Sequence, residues 1–441
     1  MEFILEDYSV NESTWLVLSS ILIVSVFFRF SRMWSLRNLD LLLLLLISPG
    51  ILLVNGENGY RSLGDVWLFA GSTLLLFRLF FDSLFKRRPI LEQNMNKSGL
   101  LVLCVATFLF QVTRVMTEPL PETTVATVQE GEKLLNGEDS ETEPVSESPV
   151  EVDEGEATPG PAQALIGASA TLLTNSQLAA ARLLAVLAHL AAVCGLYMLG
   201  RKRFGDSQLG LAMATLYLLL PCTAYNIGKV HHVLPAALIV WALVTYRRPL
   251  VAGSLMGFAC GAMFFPVFLL PIWITFYGKK GWVKFCSALA VMMGVILASH
   301  VWTSADARSF IEQTVGSIDW SVLKFHGGNT HGFWAQVDEA YRLPVVACFF
   351  LLLVLFSCWP LKKNLEHVIS HSTAIIVATQ LWYPQSGGVY VLWYLPLMLM
   401  VVFRPRLTNS VAPEFTESET VVKSTKPGGT TNTDSGRMVT P

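Results

Sequence analysis

Charge is scarce in this chain. Only 15% of its 441 residues are Asp, Glu, Lys or Arg, while 53% are hydrophobic. Soluble domains carry about 25% charged residues, so an ordinary soluble globular protein is excluded. The mean hydropathy of +0.50 agrees. A basic surplus is missing too: 31 Lys and Arg stand against 33 Asp and Glu. No basic patch is interleaved with aromatics, so nucleic acid is not an expected partner. The chain has no P-loop, no dinucleotide-binding glycine fingerprint, no CxxC pair and no HExxH. Its seven cysteines (Cys104, Cys194, Cys222, Cys260, Cys286, Cys348 and Cys358) lie in or beside apolar runs without close pairing. A disulfide framework or a zinc cluster needs such pairs. The N-terminus, MEFILEDYSVNEST, lacks the basic segment of a cleaved signal peptide. The first apolar run is therefore expected to target the chain itself.

Long apolar runs are abundant. They cover 15–28, 39–54, 65–85, 99–116, 177–199, 209–225, 233–246, 250–277, 285–302, 343–359, 368–382 and 389–403. Runs of this kind belong in a bilayer. The expected fold is an all-α, polytopic transmembrane helical bundle of about 11–13 membrane segments. Short basic turns mark the cytoplasmic side of such proteins. Here the turns at 29–38, 86–98, RKR at 201–203, YRRP at 246–249 and LKK at 361–363 are basic, while the N-terminus and 117–161 are acidic. The alternation places the N-terminus outside and the C-terminus inside, in a cytoplasmic (inner) membrane.

The run 250–277 has basic flanks at both ends. Two short segments turning near Phe265-Pro266 keep both flanks inside. Each half would be about 18–24 Å at 1.5 Å per residue, which is tolerated if neighbours bury the turn. The alternative is a single span.

Four regions follow: a membrane region at 1–116, an acidic outer linker at 117–161, a larger membrane domain at 162–407 and a tail at 408–441. The linker holds thirteen Asp or Glu and one Lys. Such composition cannot bury enough apolar area to fold, so linker and tail are both expected to be disordered.

Residues 179–271 organise the rest. They form four apolar runs cut by RKR, GKVHH and YRRP, the last broken at Pro266. An Arg begins the first run, and a Lys–His cluster follows Pro221. A Gly-dotted run, AGSLMGFACGAMFFP, comes after. That order resembles the middle of GT-C polytopic membrane glycosyltransferases. The resemblance implies transfer of a sugar from a polyprenyl-phosphate donor at the outer face, with membrane lipid as partner. No cofactor is expected; a divalent metal is compatible with this reading but not indicated by the sequence. Two other readings of the same residues are a non-catalytic relative that binds lipid or a protein, and a transporter.

Such a transferase needs a carboxylate to accept a proton and cations to hold the phosphate. The resemblance implies a carboxylate shortly after the span that precedes the first large outer loop. That place reads TRVMTEPLPE, where Glu118 is the nearest acid. It also implies an Arg entering the next helix, matched by Arg182. Lys229, His231 and His232 offer three potential cations in four residues; interfacial anchoring to headgroups is the plainer account of them. In the later outer loop, His326, His331 and Asp338 are further candidates beside Phe333 and Trp334. Arg78 and Asp82, an i, i+4 pair within a span, either mark a polar interior or neutralise each other and reach the membrane surface; the second is expected from their place near the cytoplasmic end.

Overall fold

A computed structural model describes residues 11–413, apart from 57–58, 85–92, 138–156, 175, 305, 312–313, 315–321, 323 and 326–329. The expectations for the first ten residues, the basic turn at 86–89 and the tail beyond 413 lie outside the described residues. Among the described residues there are helices and no strand. In order they are α1 (Glu12–Phe27), α2 (Leu36–Asn55), α3 (Arg61–Phe80), α4 (Lys97–Thr117), α5 (Glu122–Asn136), α6 (Gln163–Thr171), α7 (Gln177–Leu199) and α8 (Ser207–Leu219). Then come α9 (Pro221–Tyr225), α10 (Val230–Val244), α11 (Pro249–Ala262), α12 (Leu270–Thr303), α13 (Ala307–Ile311), α14 (Arg342–Cys358), α15 (Leu365–Trp382) and α16 (Val391–Phe403). Among the described residues, six helices are long and apolar enough to cross a membrane by length and composition, and six more apolar helices are shorter.

Polar side chains start many of these helices. Asn11, Ser35, Asn96, Asp206 and Asn364 each accept a backbone N–H of the first turn. This satisfies donors that the helix itself leaves open. Side chains then sort by position. α8 and α16 are buried on every face, as expected for helices apolar all round at the centre of a bundle. α4, α14 and the second half of α12 stay mostly exposed, which suits helices facing lipid.

Contacts divide the bundle into two ends. One, the basic end, joins Arg203 to the Val244 carbonyl, Asn94 to the Phe28 carbonyl and Gln208 to the Met95 carbonyl. The other, the loop end, carries α5, α6 and residues 330–341. The stretch 250–277 is a hairpin. α11 ends where Met263 turns extended, and a 3-10 turn over Phe265–Leu269 starts the return. The Tyr277 hydroxyl then donates to the Tyr246 carbonyl at 2.8 Å, back at the basic end. Gly278, at φ 61° and ψ −165°, reverses the chain again inside α12. Carbonyls released at the break are taken up: Gly160 and Ala162 donate to Ala262 and Gly261 at 3.0 and 2.8 Å. The break after α8 is treated alike, with Gln111 on the Leu218 carbonyl and Arg114 on the Ala224 carbonyl. Backbone groups at membrane depth need such partners.

Two expectations of disorder are corrected. Within 117–161, Glu122–Asn136 is a helix; 138–156 lies outside the described residues. Its buried positions are Thr124, Thr127, Val128 and Gly131, a helical stripe of small side chains. Gly131 faces Gly167 of α6 so closely that a Cβ on either would collide with the opposite backbone. Backbone contact of this kind binds helices without large apolar residues. In the tail, residues to 413 are ordered: Leu365 donates to the Ser410 carbonyl at 2.7 Å, and Asn364 bridges to Val411.

Candidate functional site

At the loop end the last turn of α4 meets the start of α10. Arg114 and Glu118 lie four residues apart, so they share a helix face. Their side chains form a two-point pair, at 2.6 and 3.0 Å. A third guanidinium donor holds the Ala224 carbonyl at 2.9 Å. Lys229 stands at the N-terminal boundary of α10. Pro119 to Pro121 turn the chain into α5, whose Thr124 hydroxyl donates to the Gly228 carbonyl at 2.7 Å. Together these segments enclose a cleft of about 80 Å³, lined by Arg114, Glu118, Tyr225, Asn226 and Lys229 among others. One water needs about 10–15 Å³ of such space, so the cleft has room for a small polar group. Arg114, Lys229 and Glu118 line the cleft, and the Glu12 carboxylate acts on Arg114 and Glu118 through its field, so the charges there are nearly balanced.

The structure thus gathers Glu118 and Lys229, which the sequence separates by more than a hundred residues. It does not gather the rest. His231 and His232 are 6% and 4% exposed. They turn into the bundle, and His232 Nδ1 accepts the Trp393 indole N–H at 2.8 Å. The reason is the burial of α10 on nearly every face. The two imidazoles therefore do not face a headgroup, which corrects the expectation of a Lys–His triplet. Arg182 does not line the cleft. Seven residues on, His189 holds the Ile227 carbonyl at 3.0 Å, so Arg182 sits about 10 Å along α7 from that wall. Its Nε is buried without a hydrogen-bond partner.

The described part of the later loop, residues 330–341, is knitted to the bundle. His331 donates its backbone N–H to Pro384 at 3.0 Å and accepts from Ser386 at 3.2 Å. Asp338 caps a short turn through the Ala340 N–H at 2.9 Å. These contacts give both residues local structural work; His326 lies outside the described residues. Phe333 stacks on Phe69 at 3.8 Å, and the Trp334 indole N–H donates to Leu381 at 3.1 Å. The two rings are therefore spent within the protein.

One buried acid and most of one charged cluster were not singled out in the sequence. Asp65, one turn into α3, is only 4% exposed; its signal was an acid at the first position of an apolar run. At the basic end, Arg78 pairs with Asp40 at 2.6 and 3.0 Å and with Asp82 at 2.9 Å. Arg404 pairs with Asp82 and, at 2.9 Å, with Glu366. All but Glu366 are nearly fully buried. This corrects the expectation that Arg78 and Asp82 reach the surface as an isolated pair. Lys363 lies close by and donates to the Ser357 carbonyl at 2.7 Å; burial pushes its pKa down. In comparison with known proteins, the chain matches no family model, no curated protein and no solved structure.

Proposed function

We propose that this chain is a multi-pass membrane protein that binds a phosphate-bearing lipid headgroup at its loop end. The supporting observation is the cleft that sets the Arg114 guanidinium and the Lys229 ammonium beside Asn226 and Tyr225, with Glu118 in the same lining. Charge-assisted donors are the strong partners of phosphate oxygens, and a site at a span end meets a headgroup at its natural depth. In this reading the loop end faces outward and the basic turns face the cytoplasm, with the protein in an inner membrane.

A second reading is favoured by the presence of Glu118 in the same cleft. A sugar transfer from a polyprenyl-phosphate donor needs a carboxylate near the acceptor hydroxyl. Here Arg114 holds both Glu118 oxygens, so the pair must part before Glu118 takes a proton.

One binding experiment tests the headgroup reading. The purified protein is titrated with a polyprenyl phosphate and, separately, with a bulk anionic phospholipid. Each charge-assisted contact is worth about 1.5–3 kcal/mol, so Lys229→Gln is expected to weaken polyprenyl-phosphate binding tenfold or more. General attraction to anionic lipid is worth about 1 kcal/mol per basic residue. An equal loss for both lipids, or no loss, overturns the headgroup site.

A further inference from the structure

The cleft at the loop end holds no clear surplus of positive charge. Arg114 and Lys229 share its lining with Glu118. A second acid, Glu12 at the start of α1, stands against the same wall. The Tyr225 hydroxyl donates to the Glu12 carbonyl at 2.9 Å, and the Glu12 carboxylate acts on Arg114 and Glu118 through its field. A phosphate added to charges that already nearly cancel brings an uncompensated negative charge into a partly desolvated site, which is disfavoured. It enters more readily if it takes the place of an anion already there.

Arg114 is placed for such a replacement. Its Nε and Nη2 donate to the two Glu118 oxygens at 2.6 and 3.0 Å. Carboxylate and phosphate each present a pair of oxygens that fits this fork, so they compete for one geometry. Nη1 donates instead to the Ala224 carbonyl at 2.9 Å, a bond that ties the guanidinium to the wall whichever anion it holds. The two partners differ in freedom. The Arg114 side chain is 12% exposed and that of Glu118 is 37% exposed. Glu118 also lies just past the end of α4, with extended backbone at φ −82° and ψ 153°. Its carboxylate can leave for water, which stabilises the charge. Resting on the headgroup reading, we propose that the phosphate of a lipid headgroup displaces Glu118 from the Arg114 fork, so that Glu118 is a built-in competitor for the site. On the sugar-transfer reading, the exchange frees Glu118 to accept a proton only while the donor is bound.

The test is a double-mutant cycle on polyprenyl-phosphate binding by the full detergent-purified chain, with a bulk anionic phospholipid as control. Removing the competitor is expected to strengthen binding: Glu118→Gln should lower Kd about fivefold, the upper worth of an exposed ion pair, and leave bulk-lipid binding unchanged. In an Arg114→Gln background the same change should gain nothing, because the contested guanidinium is gone. Unchanged or weaker binding in Glu118→Gln overturns the proposal. An equal gain in the Arg114→Gln background assigns the effect to simple repulsion and overturns it too. Selective binding that Lys229→Gln weakens but Glu118→Gln does not strengthen leaves the headgroup site and removes the exchange alone. A wild-type chain with no preference for polyprenyl phosphate removes both. Where a variant does not fold or binds too weakly to measure, the infrared carboxylate bands of the wild-type chain decide. Polyprenyl phosphate is expected to shift one band from paired to hydrated carboxylate, and bands that stay in place overturn the exchange.

Discussion

Replacing Arg78 by Met separates two accounts of the basic end. A solvated pair is worth about 0–1 kcal/mol, so the surface account makes Arg78→Met nearly silent. The structure gives a different magnitude. The Arg78 and Asp40 side chains are 3% and 0% exposed, and Asp82 is 4% exposed. Removing the guanidinium strips Asp40 of a two-point partner and leaves Asp82 to Arg404. Breaking a buried pair from one side costs about 3–5 kcal/mol, because the remaining charge is uncompensated. The loss is therefore expected near that range in reversible detergent unfolding. Asp40→Leu in the same chain removes the carboxylate that Arg78 held at two points and should recover part of the loss. Such non-additivity is the mark of groups in direct contact. A loss under about 1 kcal/mol for Arg78→Met, or a double variant no better than the single one, would refute the buried network.

Other parts of the fold give sharper contrasts with composition-based expectation. A disordered linker would tolerate Gly131→Ala, but the contact with Gly167 predicts a loss of about 1–3 kcal/mol from overpacking, seen as lower melting and faster proteolysis after residue 122. Orientation is read by labelling intact cells with an impermeant thiol reagent, in a chain freed of its native cysteines. Asn136→Cys should react and Lys202→Cys should not; the reverse pattern inverts the bundle.

The parts of this fold that were legible in the sequence are those set by chemistry local to one segment. Apolar runs of span length, basic turns such as 201–203 and the Pro266 break between two short halves all act on their own neighbourhood, and the hairpin at 250–277 follows from them. Contacts between distant segments left weaker traces. Arg78 and Asp82 could be seen as a pair only because they lie four residues apart; Asp40, Glu366 and Arg404 come from three other places. α5 was hidden by the acids around it, since its packing rests on Thr and Gly, which composition does not weigh as core. His231 and His232 occupy a span end, as read, but side-chain direction depends on what surrounds the helix. α10 is enclosed by α7, α11 and α16, so its first turn faces protein. Glu118 and Lys229 come together for the converse reason. Each ends an apolar helix at the loop end of the bundle, and helices of one bundle bring such ends close whatever their separation along the chain. A reading based on which end of a helix a residue occupies therefore finds the residues that can meet. It does not tell which of them the bundle uses for itself, and in this chain the histidines, Asp338 and the Phe333–Trp334 pair were used that way.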